Sequence, residues 1–194
     1  MPWSEQANAL VWGWYGGMEA GHAFADVLMG DVNPAGKMPI TLPARLADTA
    51  AIALDDYNGE ESLYKEGVFI GYRWFEQQNI KPLFSFGHGL SYSEFEFSAI
   101  TLSTDKLSGD DNLTVTATVK NIGKVAGAEV VQLYLHDEKA SVEQPAKVLK
   151  GFAKVFLQPN ESAQVSITLT KRDLSFWDVN SNDWLAEPGD FEVM

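Results

Sequence analysis

The sequence predicts an α/β segment followed by an all-β, immunoglobulin-like sandwich, and two changes of pattern carry that expectation. Within the first 86 residues a short apolar run leads through paired glycines into a helix-period stretch, the strand, turn and helix order of α/β folds. After about Glu94 the period drops to two, and short alternating runs recur between turn residues at the spacing of a β-sandwich.

Taken in order, Asn8 to Trp14 reads as a buried strand that ends at Gly16 and Gly17. Met18 to Met29 then places Ala20, Phe24, Val27 and Leu28 at helical spacing, and Gly30 sits where a helix C-terminus favours a residue without Cβ. Pro34, Gly36, Pro39 and Pro43 break the next section into a loop with one short extended piece at Met38 to Leu42. A polar, acidic loop through Tyr57 to Glu61 leads into "EGVFIGYRWFEQQNIKPLFSFGHGLSY", where aromatics are frequent but neither period holds, which predicts an irregular wrap over a core.

In the second half Leu113, Val115, Ala117 and Val119 face one way, and Thr114, Thr116, Thr118 and Lys120 the other. Similar runs lie at Glu129 to Leu135, Val148 to Leu157 and Ala163 to Leu169, with shorter ones near Phe176 and Phe191. Turn residues at Asn121 to Gly123, Pro159-Asn160 and Pro188 to Asp190 separate them, so about seven short strands are expected.

Composition narrows the function classes. A net charge of −13, from 27 acidic and 14 basic residues, opposes the counterion release that drives binding to nucleic acid or anionic lipid, so neither is an expected partner. The apolar runs, such as that around Ala9 to Trp14, fall far short of the ~20 residues of a membrane-spanning helix, and no basic n-region precedes an h-region. A soluble chain is expected. The absence of cysteine removes disulfides, thiolate nucleophiles and sulfur ligands, and it leaves the compartment open, secreted or periplasmic locations included. Aromatics make up 12% of the chain, 6 of them Trp; such rings can stack on sugars, but core packing is the expected fate of most.

Few constellations carry chemistry. "GGMEAG" lacks the lysine and Ser/Thr of a phosphate loop, and Glu19 near the helix start is accounted for by the positive end of the helix dipole. Glycoside hydrolysis needs two carboxyls about 5 to 10 Å apart across a scissile bond. The doublets Asp55/Asp56, Glu60/Glu61 and Asp110/Asp111 read instead as solvated loop charges. His22, His88 and His136 are too dispersed for a metal site, and Gly87 and Gly89 around His88 point to a tight turn packed against backbone. Arg73 is expected to be partly buried among aromatics and paired with an acid such as Glu66. No Gly-x-Ser-x-Gly elbow occurs, and the sequons at Asn112 and Asn160 are chance-level.

Six segments in order, "WGWYGGMEAGHAFADVLMGDVNPAGKMPITLP", "YKEGVFIGYRWFE", "PLFSFGHGLSYSEF", "VTATVKNIGKVAGAEVVQLYL", "KVLKGFAKVFLQPNES" and "LTKRDLSFWDVNSNDWLAEPGDFEV", resemble the C-terminal portion of glycoside hydrolase family 3, the β-glucosidase and β-xylosidase group. The resemblance implies that residues 1–86 form the closing part of the family's α/β sandwich domain with wrapping loops. It further implies that residues 95–194 form a fibronectin type III-like β-sandwich with its last strand truncated.

The family's aspartate nucleophile lies in a barrel domain and its acid/base carboxylate on an earlier loop, so the resemblance implies no catalytic residue, no metal and no cofactor in this chain. Glu19 matches the Glu of a "PGxExG"-like segment beside the site, with Gly17 departing from that pattern. Trp14, Tyr15 and Glu19, followed by Tyr64 and Arg73, are the residues expected nearest the sugar. The chain reads as an inert fragment of a retaining β-glycosidase. Its expected partners are a β-linked glucoside, xyloside or oligosaccharide and the missing barrel and sandwich portion. The alternatives are a carbohydrate-binding or interaction module presenting Trp177 and Trp184, and one half of a split enzyme with an exposed apolar interface.

Overall fold

The structure, a computed structural model, describes residues 1, 3–57, 59 and 61–194, so Glu60 of the expected Glu60/Glu61 doublet lies outside the described residues. Helix α1 spans Ala20–Met29 and is closed by Gly30, whose φ of 85° places it in the left-handed region open to glycine. The expected helix is present, but none of its residues is buried. Asn8 to Trp14 forms no strand and is exposed, contrary to the buried strand read from its apolar run. The reason is physical: a strand needs a neighbour for its backbone N–H and C=O groups, and no described segment pairs with this one. The short extended piece forms as expected, with Met38 and Leu42 exchanging backbone hydrogen bonds with Gly87, His88 and Phe84.

Two helices that the irregular pattern did not announce follow, α2 (Ala50–Ala53) and α3 (Tyr72–Gln77). Together they enclose a small aromatic core of Phe69, Trp74 and Phe75, against which Ala50, Leu54 and Ile80 pack. Two buried acids organise the chain around it. Asp48 takes hydrogen bonds from the Arg45 guanidinium (2.7 Å) and backbone N–H (3.0 Å), while its carbonyl accepts the Trp74 indole N–H at 3.0 Å. Asp56 accepts the N–H groups of Leu63 (2.9 Å) and Lys65 (3.3 Å), so it closes the loop and is not the solvated charge its doublet suggested.

From Phe95 onward the chain is a two-sheet sandwich. Strand β3 (Leu113–Asn121) pairs along one edge with β1 (Phe95–Phe97) and β2 (Thr101–Leu102), and along the other with β6 (Ser162–Leu169). In the facing sheet β4 (Gly127–Asp137) lies between β5 (Val148–Leu157) and β9 (Phe191–Val193), while β7 (Phe176–Asp178) and β8 (Asp183–Leu185) form a separate hairpin. All pairs are antiparallel. The core carries Leu113, Val115 and Val119 from β3 and Val165 and Leu169 from β6. Opposite them stand Leu133 and Leu135 of β4 and Leu157 of β5.

Asn121, at the end of β3, is fully buried and makes a complete set of bonds. Its side-chain NH2 donates to the carbonyls of Val125 (2.8 Å) and Leu157 (3.1 Å), and its Oδ1 accepts from the Ser93 hydroxyl (2.7 Å) and the Gly123 N–H (3.0 Å). The α/β-derived part docks on the sandwich through further polar contacts. Asn33 donates to the Ala126 carbonyl at 3.0 Å and accepts from the Ser91 hydroxyl (2.9 Å) and the Tyr92 N–H (2.8 Å). Lys37 pairs with Glu129 at 2.6 Å, both side chains being largely buried.

Asn121→Ala removes the side-chain partner of the buried Ser93 hydroxyl and Leu157 carbonyl, and at about 1–3 kcal/mol for an orphaned buried group we expect a loss of about 2 kcal/mol or more, read by urea unfolding of the full chain. An effect below about 0.5 kcal/mol, the range of plain surface changes, would remove this role. Asp48 and Asp56 are both held below the usual carboxylate range, the first chiefly by the Arg45 side-chain hydrogen bond and the second chiefly by the Leu63 N–H. With folded values lowered, the stability they contribute is complete above an unfolded aspartate's pKa of about 3.9 and is lost as the pH falls through the lowered folded values. Amide protection factors, the exchange rates corrected for the intrinsic pH dependence, should therefore fall on acidification for residues 45–57 and 61–65, and Asp56→Asn should lower them at neutral pH and flatten their acid dependence.

Candidate functional site

The residues expected nearest a sugar begin in the loop ahead of α1. Two glycines set its course: a Cβ on Gly13 would lie 1.9 Å from the Phe24 ring, and one on Gly16 would lie 2.5 Å from the Ala20 Cβ, so backbone passes directly over the helix. Between them Trp14 adopts a φ of 48°, a left-handed conformation that is uncommon and strained for a bulky residue. That twist puts Trp14 at the middle of an aromatic row, 6.1 Å from Trp12 and 5.6 Å edge-on from Tyr15. Tyr15 is 90% and Met18 100% exposed, so this row is surface and not core.

Glu19 stands at the N-cap of α1 with its carboxylate against His22 Nδ1, both side chains exposed. The sequence reading passed over His22 as a partner, although the three-residue spacing to Glu19 is the separation at which helical side chains meet. Row and acid together offer ring faces for stacking on the C–H face of a sugar and a polar pair for its hydroxyls.

Tyr64 and Arg73 lie elsewhere. Tyr64 is exposed and has a φ of 50°, a second left-handed aromatic position. Arg73, on α3, donates from Nη1 to the Val68 carbonyl at 3.5 Å and lies 5.7 Å from the Tyr72 ring centroid. It is partly buried as expected, but among the described residues it forms no ion pair with Glu66, and its Nε is buried without a partner. The helix turns its side chain toward the Val68 carbonyl instead. No hydrogen bond or ring contact among the described residues joins Tyr64 or Arg73 to the Trp14 segment.

His88 stacks on Phe84 at 5.9 Å, and a Cβ on Gly89 would meet the Gly36 carbonyl oxygen at 2.2 Å, which is the close backbone approach its flanking glycines implied. No three His, Cys, Asp or Glu side chains cluster for a metal among the described residues. No described helix is long and apolar enough to cross a membrane.

Trp177 and Trp184 face each other across the β7–β8 hairpin at 5.7 Å and 70°, with the Arg172 guanidinium 3.4 Å above the Trp184 ring. They are 46% and 40% exposed, yet the edge-to-face geometry and the capping Arg172 spend ring surface on each other and leave no flat two-ring platform. More broadly, the buried rings are few, Phe69, Trp74 and Phe75, so the expectation that most aromatics are core is corrected: the small core of the first segment leaves Trp12, Trp14 and Tyr15 uncovered, and in the sandwich Phe152 and Phe156 stand on the outward face of β5.

Comparison with known proteins finds two family domains in this chain. Residues 1–92 match the glycosyl hydrolase family 3 C-terminal domain, and residues 129–194 the fibronectin type III-like domain. The whole chain aligns with a probable beta-glucosidase I of Aspergillus niger at 47% identity and with thermostable beta-glucosidase B of Acetivibrio thermocellus at 43%, covering 24% and 26% of those proteins. Among solved structures, the beta-glucosidase of Kluyveromyces marxianus in complex with glucose superposes with a TM-score of 0.89 at 42% identity, over 99% of this chain and 23% of that one. The GH3 beta-glucosidase of Bifidobacterium adolescentis gives 0.91 at 38%, over 99% and 28%. The chain thus spans about a quarter of the length of the relatives it matches. With both of its parts accounted for in the same order, the chain belongs to glycosyl hydrolase family 3, as that family's C-terminal domain joined to a fibronectin type III-like domain.

Proposed function

We propose that this chain serves as the non-catalytic C-terminal part of a retaining β-glycosidase of the β-glucosidase type, with residues 1–86 beside the sugar site and residues 95–194 as its β-sandwich buttress. The observation that carries the reading is the full-length alignment to beta-glucosidases of which the chain makes up about a quarter. The uncovered aromatic row at Trp12, Trp14 and Tyr15 supports it, because a contiguous exposed apolar surface of this kind marks an interface or a ligand groove.

Retaining hydrolysis uses two carboxyls about 5–5.5 Å apart, one as nucleophile and one as acid/base. In this family the resemblance assigns both to segments outside the residues matched here, so the chain contributes walls and orientation. Trp14 and Tyr15 stack on the sugar or line its approach, the Glu19–His22 pair holds a hydroxyl or a neighbouring loop, and Tyr64 and Arg73 form a second, more distant border. A β-linked glucoside or xyloside is the substrate class, and the preceding barrel and sandwich are the partner.

The test is a chimera in which this chain replaces the matching C-terminal quarter of the Kluyveromyces marxianus enzyme. The chimera should hydrolyse aryl β-glucoside, while the 194-residue chain alone releases no p-nitrophenol. In the chimera, Glu19→Gln should lower kcat/KM by less than about tenfold, about 1.4 kcal/mol. Turnover by the isolated chain, or a loss of about 10³ or more as for a missing general acid, would overturn the non-catalytic assignment. Trp14→Ala should raise KM with kcat little changed; unchanged kinetics would remove Trp14 from the sugar's surroundings.

A further inference from the structure

A cavity of about 330 Å³ lies between α3 and the β-sandwich, far along the chain from the Trp14 row. Tyr72, Glu76 and Asn79 form one wall, on successive turns of α3 and its extension, with Thr41 beside them; Tyr134 of β4 and Lys147 close the other side. The volume is at the lower end of the range for small-molecule sites, about 300–1,000 Å³, and holds about ten waters at about 30 Å³ each.

Its polar lining is incomplete. Lys147 Nζ pairs with Glu76 Oε1 at 2.7 Å, but Glu76 Oε2 is buried with no partner, and so is the Thr41 hydroxyl. These are two of the four side-chain polar atoms left in that state among the described residues, and both belong to residues lining this one cavity. Buried polar atoms in native proteins are almost always satisfied, so two orphans on one space call for hydroxyl-bearing contents.

The apolar lining is ordered as well. Tyr72 is fixed by stacking on Phe86 at 5.0 Å, by an edge-on contact with Tyr134 at 5.9 Å, and by accepting the Leu149 N–H on its phenol oxygen at 2.9 Å. Tyr134 donates to Gln132 at 2.8 Å, and burial pushes its pKa up to about 12, so the phenol stays neutral across the physiological range. Charge excludes most alternatives. Glu76 and Lys147 pair with each other, and Lys81, the third charged lining residue, is exposed to solvent, so an anion entering the buried part would meet the carboxylate and a cation the ammonium. A neutral compound with several hydroxyls meets neither objection: its hydroxyls donate to Glu76 Oε2 and exchange bonds with Thr41, while its C–H face lies on the tyrosine rings.

We propose that this cavity is a binding site for a neutral polyhydroxyl molecule of monosaccharide or polyol size, separate from the Trp14 row and independent of whether that row borders a catalytic centre. The site spans both parts of the chain, so its occupant also fastens α3 to the sandwich.

The experiment is titration of the ¹⁵N-labelled full chain with D-glucose and with glycerol, and with glucose 6-phosphate as the charged control. Saturable amide shifts are expected in residues 72–86 and around Tyr134 and Lys147, weaker for the phosphate. Thr41→Val, which keeps the shape and removes the hydroxyl, should weaken the affinity about tenfold, and Glu76→Gln should weaken it likewise. Amide positions away from the cavity report whether each variant is folded; if Glu76→Gln unfolds the chain, Thr41→Val decides. Shifts absent for both neutral compounds would mean that the cavity holds water only, and shifts unchanged by Thr41→Val would mean another site; either overturns the proposal. Shifts confined to residues 12–22 would overturn it too while leaving the sugar-facing role of the Trp14 row standing. An inactive chimera with intact cavity shifts would do the reverse.

Discussion

One buried side chain holds the junction of this molecule. Asn121 is inaccessible to water, and its hydrogen-bonding positions are taken by groups from three stretches: the segment entering β1, the β3–β4 connection, which supplies two, and the end of β5. Its backbone is used as well, accepting from the Asn160 N–H and donating to the Glu161 carbonyl, both at 2.9 Å. A buried amide with unmet bonds is costly, so the three stretches are confined to the arrangement that satisfies it. Gly123 is tied to the same geometry, since a Cβ there would fall 2.1 Å from the Ser93 hydroxyl.

The two parts of the chain meet the burial requirement differently. The sandwich covers its own leucines and valines from both sheets, whereas residues 1–32 leave Trp12, Trp14, Tyr15 and Met18 open and contribute no side chain of α1 to a core. Marginal stabilities leave little room for such exposure unless other surface covers it. Lys37 and Glu129 show the opposite case at the seam: a largely buried ion pair that, once one partner is removed, strands the other charge, which makes the seam specific more than strong.

Legibility followed the range of the interaction. Alternation of period two placed β3 through β6 within a residue or two, and Gly30 marked the end of α1, because those signals are set by each segment's own pattern. The apolar run at Asn8 to Trp14 has the same local signature as a strand, but a strand is made by its neighbour. Helix α3 escaped notice because six residues are too few to show a period, and its buried Trp74 and Phe75 lean on Asp48 and Phe69 from other loops. The Asp55/Asp56 doublet misled for a related reason, since only the fold-back of Leu63 and Lys65 turns one of the two into a buried acceptor. Of the candidate site, the Trp14 and Glu19 segment was readable as a unit, and the cavity lined by Thr41, Glu76 and Tyr134 was not, because its walls are distant in sequence.

The seam also explains how a β-sandwich can influence a loop ahead of α1. The Tyr92 hydroxyl donates to the Val27 carbonyl at 2.8 Å, in the last turn of α1. One residue away, Ser91 and the Tyr92 backbone are held by Asn33, which itself reaches the Ala126 carbonyl at the start of β4. Ser93 continues the same line to Asn121. The C-terminal end of α1 is therefore registered to the sandwich through directional bonds of about 3 Å, and the helix in turn carries Phe24 and Ala20, the surfaces over which Gly13 and Gly16 pass. A rigid element fixed at one end transmits position to the other, so the orientation of Trp14 and Glu19 is set by the docking of the sandwich as well as by their own loop.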